Sequence, residues 1–240
     1  MNEAWEIAHE AGKTGALALT MLGARLRLPD AAATALASQA NLIATVLTPR
    51  IETPGAAAAI GRILAEQAIA AGTAMQSIDG GPREAATAFY DAASYLTTGL
   101  PPTISPAKQR AGVLARAVLA CGEAAFLGQA FLAEARSDFT DRRSAVEARG
   151  RIAAALEEAS DRIAAAAGAD IHAILGRAAR HATDFLIAEA SELRPVVRVE
   201  AARSLPSSAL AWALYGDPAR AGELAERNRC GTPLFMPATI

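Results

Sequence analysis

Residues Pro106–Ala135 read PAKQRAGVLARAVLACGEAAFLGQAFLAEA, and this stretch decides the fold class. Ser105 stands where a helix N-cap belongs. Pro106 follows at the first helical position, where its fixed φ fits and its missing N–H costs nothing. Val113, Leu114, Val118, Leu119, Phe126, Leu127, Phe131 and Leu132 then cover most of the circumference, while the charges Arg116, Glu123 and Glu134 are sparse. A helix apolar nearly all round is expected at the centre of a bundle.

Working towards the N-terminus, the segment from about Arg83 to Thr98 predicts a helix carrying Phe89, Tyr90, Tyr95 and Leu96. Asp79-Gly80-Gly81-Pro82 marks the turn before it, and the three prolines of Gly99–Pro106 mark a hinge after it. A helix over about Gly55–Ser77 presents Ile60, Leu64, Ala68 and Ala71 on one face, with Pro49 and Pro54 bracketing the loop that precedes it. Ala31–Thr48 predicts a helix around Leu36, Leu42, Ile43 and Leu47. Ala31–Pro49 is uncharged, but Ser38, Gln39, Asn41 and several threonines point to a buried helix of a soluble protein rather than a membrane span. The first helix, about Glu3–Leu26, offers Trp5, Ile7, Leu17, Leu19, Met21 and Leu22 to the core. Gly12, Gly15 and Gly23 weaken it or admit a neighbouring backbone.

Towards the C-terminus, Ser137-Asp138 is expected to cap a helix running to about Gly168, with Ile152, Leu156 and Ile163 inside. Asp138/Arg142, Glu147/Arg151 and Glu158/Arg162 fall at i, i+4 on its solvated face. Asp170–Leu193 predicts a last body helix with Ile174, Phe185 and Leu186 inward, closed by Pro195. The fold class is therefore mainly α: a helical bundle body over residues 1–194, with a hinge at 99–106, and a smaller module over 195–240.

Composition agrees. Alanine makes up about a quarter of the 240 residues and aromatic residues 5%, which favours helices packed closely through small side chains. Net charge is -2, with 23 basic and 25 acidic residues intermixed, so no basic tract is present to serve as a general nucleic-acid surface. Lysine occurs only at Lys13 and Lys108. Met1-Asn2-Glu3 lacks the basic n-region of a signal peptide.

The terminal stretch has its own punctuation. Pro206 opens a helix with Leu210, Ala213 and Leu214 at helical spacing, and Gly216 ends it in the left-handed region. Asp217-Pro218 restarts a helix with Ala221, Leu224 and Ala225 inward, and Asn228 is expected as a second left-handed stop. The β-branched run Val196-Val197-Arg198-Val199 predicts a strand, and Leu234–Ile240 another that would be cut short at Ile240. The module is thus expected to be α+β, in the order strand, helix, helix, strand.

This order, with the Leu214-Tyr215-Gly216-Asp217 turn, Asn228 and the segment Pro233–Pro237, resembles the C-terminal part of the DNA circularisation protein of Mu-like contractile-tailed phages. In outline it is also similar to LysM-type modules. The resemblance covers the last 45 residues or so closely and the body only in character. It implies a further domain ahead of the helical region, whereas Met1 opens directly on helical sequence. It also implies a non-enzymatic virion structural protein near the baseplate hub, concerned with genome delivery and circularisation. Such a protein would be made in the bacterial cytoplasm and located in the virion tail. The implied partners are other tail and baseplate proteins, with homo-oligomers compatible, and neither strong direct nucleic-acid binding nor membrane association is expected. The residues expected to dock are Arg203, Trp212, Tyr215, Arg220, Arg227, Asn228 and Phe235, since buried aromatic and arginine side chains carry most interface energy. The alternatives are a LysM-type peptidoglycan-binding protein and a helical regulator or effector. A LysM groove would map to Ala202–Leu205 and Arg229–Thr232, and the first of these lacks the Gly-Asp-Thr typical of that family. Trp212 and Tyr215, three apart on one helix side, are expected to pack rather than to stack on sugar.

No catalytic, cofactor or metal site is expected. His172 and His181 are nine residues apart, on opposite faces of one helix, and His9 is remote in sequence. Adjacent Glu157 and Glu158 diverge on a helix and make a poor acid–base pair. Cys121 reads as a small core residue, and Cys230 lies in a terminal loop, with no disulfide or zinc spacing between them. No P-loop, dinucleotide fingerprint or Gly-x-Ser-x-Gly occurs.

Overall fold

A computed structural model describes residues 3–51, 54–75, 81–97, 106–193, 199, 201, 203–228, 230, 232, 234 and 236. The protein is mainly helical, and no strand occurs among the described residues. It forms two compact units, Met1–Leu193 and Arg194–Ile240.

In the body, α1 is Glu3–Arg25 and α2 is the rod Asp30–Arg50, formed by Asp30–Leu42, a π-helical turn Ile43–Leu47 and a last turn Thr48–Arg50. Then come α3 (Pro54–Met75), α4 (Gly81–Thr97), α5 (Pro106–Ala135), α6 (Arg142–Ala167) and α7 (Ala169–Glu192). The all-round apolar helix α5 is the axis of the bundle, packing against α1, α3, α4, α6 and α7. Phe126 and Phe131, both fully buried, meet Phe89 and Tyr90 of α4 at ring-centroid distances of 6.1 and 6.4 Å. The proposed hinge at 99–106 lies, apart from Pro106, outside the described residues.

The helix ends follow local chemistry, with one shift from expectation. Ser137 closes α5 instead of opening α6, its hydroxyl donating to the Ala133 carbonyl at 3.0 Å. Asp141 is the N-cap of α6, accepting from the Ser144 backbone N–H at 2.9 Å. Burial opposes its charge, but the hydrogen bonds from Ser144, Thr140 and the Arg143 backbone hold its carboxyl below the usual range. Gly168, at φ 95°, ends α6 in a conformation that favours glycine.

Two of the expected inward sets are met in part: Leu186, Leu19 and Leu22 are buried as expected, and Ile174, Phe185, Leu17 and Met21 are not. In α7 the buried line is Leu175, Ala179, Ala182, Leu186 and Ala190, and Ile174 and Phe185 are exposed. In α1 the buried line is Ala8, Ala11, Leu19, Leu22 and Leu26, and Leu17 and Met21 are exposed; Trp5's side chain is outside the described set. In both helices alanines share the core positions with leucines. Small side chains let neighbouring backbones approach, so the larger residues one or two positions away are turned outward. Val113 and Leu132 of α5 are exposed for the same reason. The expectation that α2 is buried also fails: only 22% of that apolar stretch is buried, and Leu42 is exposed. Both Asp30–Arg50 and Gly112–Ala135 are long and apolar enough to cross a membrane; half of the latter is buried.

The side chains of α5 and α6 contradict a simple solvated-face reading of the charges. Glu123 and Glu134 are 3% and 1% exposed. Arg162 reaches Glu123 with Nη2–Oε1 at 2.6 Å, and Arg151 grips Glu134 through Nε and Nη2 at 2.6 and 2.8 Å. The arginines thus cross to α5 rather than pairing with Glu158 and Glu147 on their own helix, and Glu147 is held by Arg143 at 2.8 Å. On each helix the two charges are eleven residues apart, about three turns, so they share a face. Because the partners run in opposite order, the two rungs fix the antiparallel register of α5 against α6.

Two outcomes follow. Truncating Arg151 to Met leaves a buried carboxylate unpaired and should cost about 3 kcal/mol. Glu134→Leu, which leaves a half-exposed guanidinium free to reach water, should cost distinctly less; paired urea melts measure the difference. Gly15 of α1 faces buried Ile60 of α3, with a Cβ position overlapping the Ile60 side chain. Gly15→Ala should therefore lower stability by about 1 kcal/mol, because the overpacking exceeds the gain in helix propensity.

Candidate functional site

The terminal unit is built on two short helices. Pro206 precedes α8 (Ser207–Tyr215), and Gly216 ends it at φ 71°, its N–H donating to the Trp212 carbonyl at 2.9 Å. Asp217 caps the next segment by accepting from the Ala219 N–H at 2.9 Å. A 3-10 turn Pro218–Arg220 leads into α9 (Ala221–Arg227). Asn228 does stop α9, but not in the left-handed region: its φ is -92°, and its Nδ2 donates to the Leu224 carbonyl at 2.9 Å.

The core of this unit is small: Leu210, Leu224 and Met236, with Ala201, Leu205, Ala225 and Cys230 packed on it. The inner face of α8 is Ser207, Leu210 and Ala211; Ala213 and Leu214, expected inside, are exposed. The strand-helix-helix-strand expectation is not met among the described residues. Of the first strand only Val199 is described and of the second only Leu234 and Met236, and none of these is in a strand. Met236 pairs instead with the loop before α8: its N–H donates to the Leu205 carbonyl at 3.0 Å, and Ser204 Oγ donates to the Met236 carbonyl at 2.7 Å.

The expected docking residues separate into groups. Trp212 is 63% exposed, so the packing expected for it within the unit is not made. Tyr215, one turn further along, is exposed with the Arg220 guanidinium 4.1 Å from its ring centroid. Glu223 links Arg220, at 2.8 Å, to Arg227, at 3.4 Å. Trp212 and the Tyr215–Arg220–Glu223–Arg227 chain thus lie along the helix-turn-helix, with Leu214 and Leu234 also exposed. Asn228 belongs to the helix cap. Arg203 is exposed in the loop before α8, and Phe235 lies outside the described residues. Surface ion pairs of this kind contribute little to stability, but they hold the arginine planes in place.

Sequence reading missed Glu223 as the joint of this network. It also missed a cleft of about 360 Å³ in the body, lined by Tyr90, Asp91, Ser94, Glu123, Arg151 and Arg162. The matching eleven-residue spacings of acids and arginines were the available signal. The Tyr90 hydroxyl is buried there without a hydrogen-bond partner among the described residues. Burial pushes its phenol far above the ordinary range and Glu134 adds to this, with Arg151 partly opposing, so the hydroxyl stays protonated. Glu123 is already taken up by Arg162, so the cleft is a structural seam. Elsewhere Ser160 Oγ lies 3.0 Å from His172 Nε2, with no carboxylate among the described residues on the other ring nitrogen. Burial raises the Cys121 thiol, away from nucleophilic thiolate. Among the described residues no three His, Cys, Asp or Glu side chains converge for a metal.

No protein-family model matches the chain, and no curated protein matches it significantly.

Trp212→Ala should leave the stability of this unit within about 0.5 kcal/mol, as expected of an exposed side chain. Leu224→Ala should cost about 2–4 kcal/mol by opening the small core. Hydrogen exchange of the α8 and α9 amides distinguishes the two.

Proposed function

We propose that this chain is a non-enzymatic structural component of a contractile phage or prophage tail, at or near the baseplate hub and tube. Its terminal unit docks on a neighbouring tail protein. The observation that carries the docking reading is the exposed Trp212, one turn from Tyr215 with its stacked Arg220. A tryptophan left mostly in water is a large apolar area available for burial, and arginine on an aromatic ring is a preorganised contact for a partner. The tail assignment rests on the resemblance of the terminal sequence to the Mu-like DNA circularisation protein, which also supplies the proposed role in genome delivery. The unit is read as a shortened LysM-like arrangement in which Ser204-Leu205 and Met236 stand where paired strand ends would be. The mixed charge of the chain favours assembly through protein contacts over direct grip on DNA.

Gradient fractionation of an induced producer lysate, with peptide mass spectrometry across free-protein, tail and particle fractions, tests this. The chain should co-sediment with tails in high salt, and Trp212→Ala/Tyr215→Ala should shift it to the free fraction with the body still folded. Recovery only as free protein overturns the tail reading. Retention on peptidoglycan that is lost in the same double variant transfers the site to a glycan.

A further inference from the structure

We draw no further inference here: the strongest candidate, the open groove between α1 and α2 lined by Lys13, Ala16, Leu19, Ala40 and Ala44, is a mostly apolar face with nothing in the structure to show what covers it.

Discussion

Two buried carboxylates govern the body. A charge removed from water must be met by a partner of opposite sign with good geometry, and Glu123 and Glu134 each have one such partner, an arginine from α6. Sliding α6 by a single turn would strand both carboxylates at once. Apolar contacts between alanine-rich helices do not discriminate in this way, because one small residue replaces another at each step of a slide. The ion pairs therefore supply specificity of register to an interface whose hydrophobic content is uniform. The short connection between the helices, with Ser137 closing α5 and Asp141 opening α6, is set at the length this register needs.

The alanine content has a second consequence. Helices that meet through alanine and glycine come close, as Gly15 does to Ile60, and gain many weak dispersion contacts instead of a few large buried side chains. The core then has no room for every leucine and isoleucine. Leu17, Met21, Leu42, Ile174 and Phe185 are left on the surface of the body. In the terminal unit the same surplus appears as Trp212, Leu214 and Tyr215, on a unit whose core is three side chains.

The helical fold was legible in the sequence because its signals are local. Pro106 at a helix start, the Asp217-Pro218 restart, Gly168 and Gly216 at φ > 0, and the inward line of Ile60, Leu64, Ala68 and Ala71 are each set within a few residues by backbone sterics and helical period; the Ser105 cap lies outside the described residues. The central place of α5 was legible for the same reason, from its apolar circumference. The aromatic and arginine residues of α8 and α9 could be named from sequence, but their arrangement could not. Asn228 turned out to cap its helix, and Glu223, singled out by no motif, joins Arg220 to Arg227.

Tertiary structure decided what depends on which surface meets which. An i, i+4 glutamate beside Arg151 or Arg162 looks like its partner until a second helix presents a desolvated carboxylate, whose need for a counter-charge is far greater than that of a glutamate in water. In the same way Leu175 rather than Ile174 enters the core, a difference of one position that helical period alone cannot resolve when alanines surround both. The pairing of Met236 with Ser204 and Leu205 was equally out of reach, since a strand-like stretch of sequence does not say which groups it will bond to. Sequence by itself determined where helices begin, end and carry apolar residues, because those are short-range properties of the chain. Only the packed structure determined register, the choice of stripe and the pairing of charge, because each of these is a property of two segments brought together.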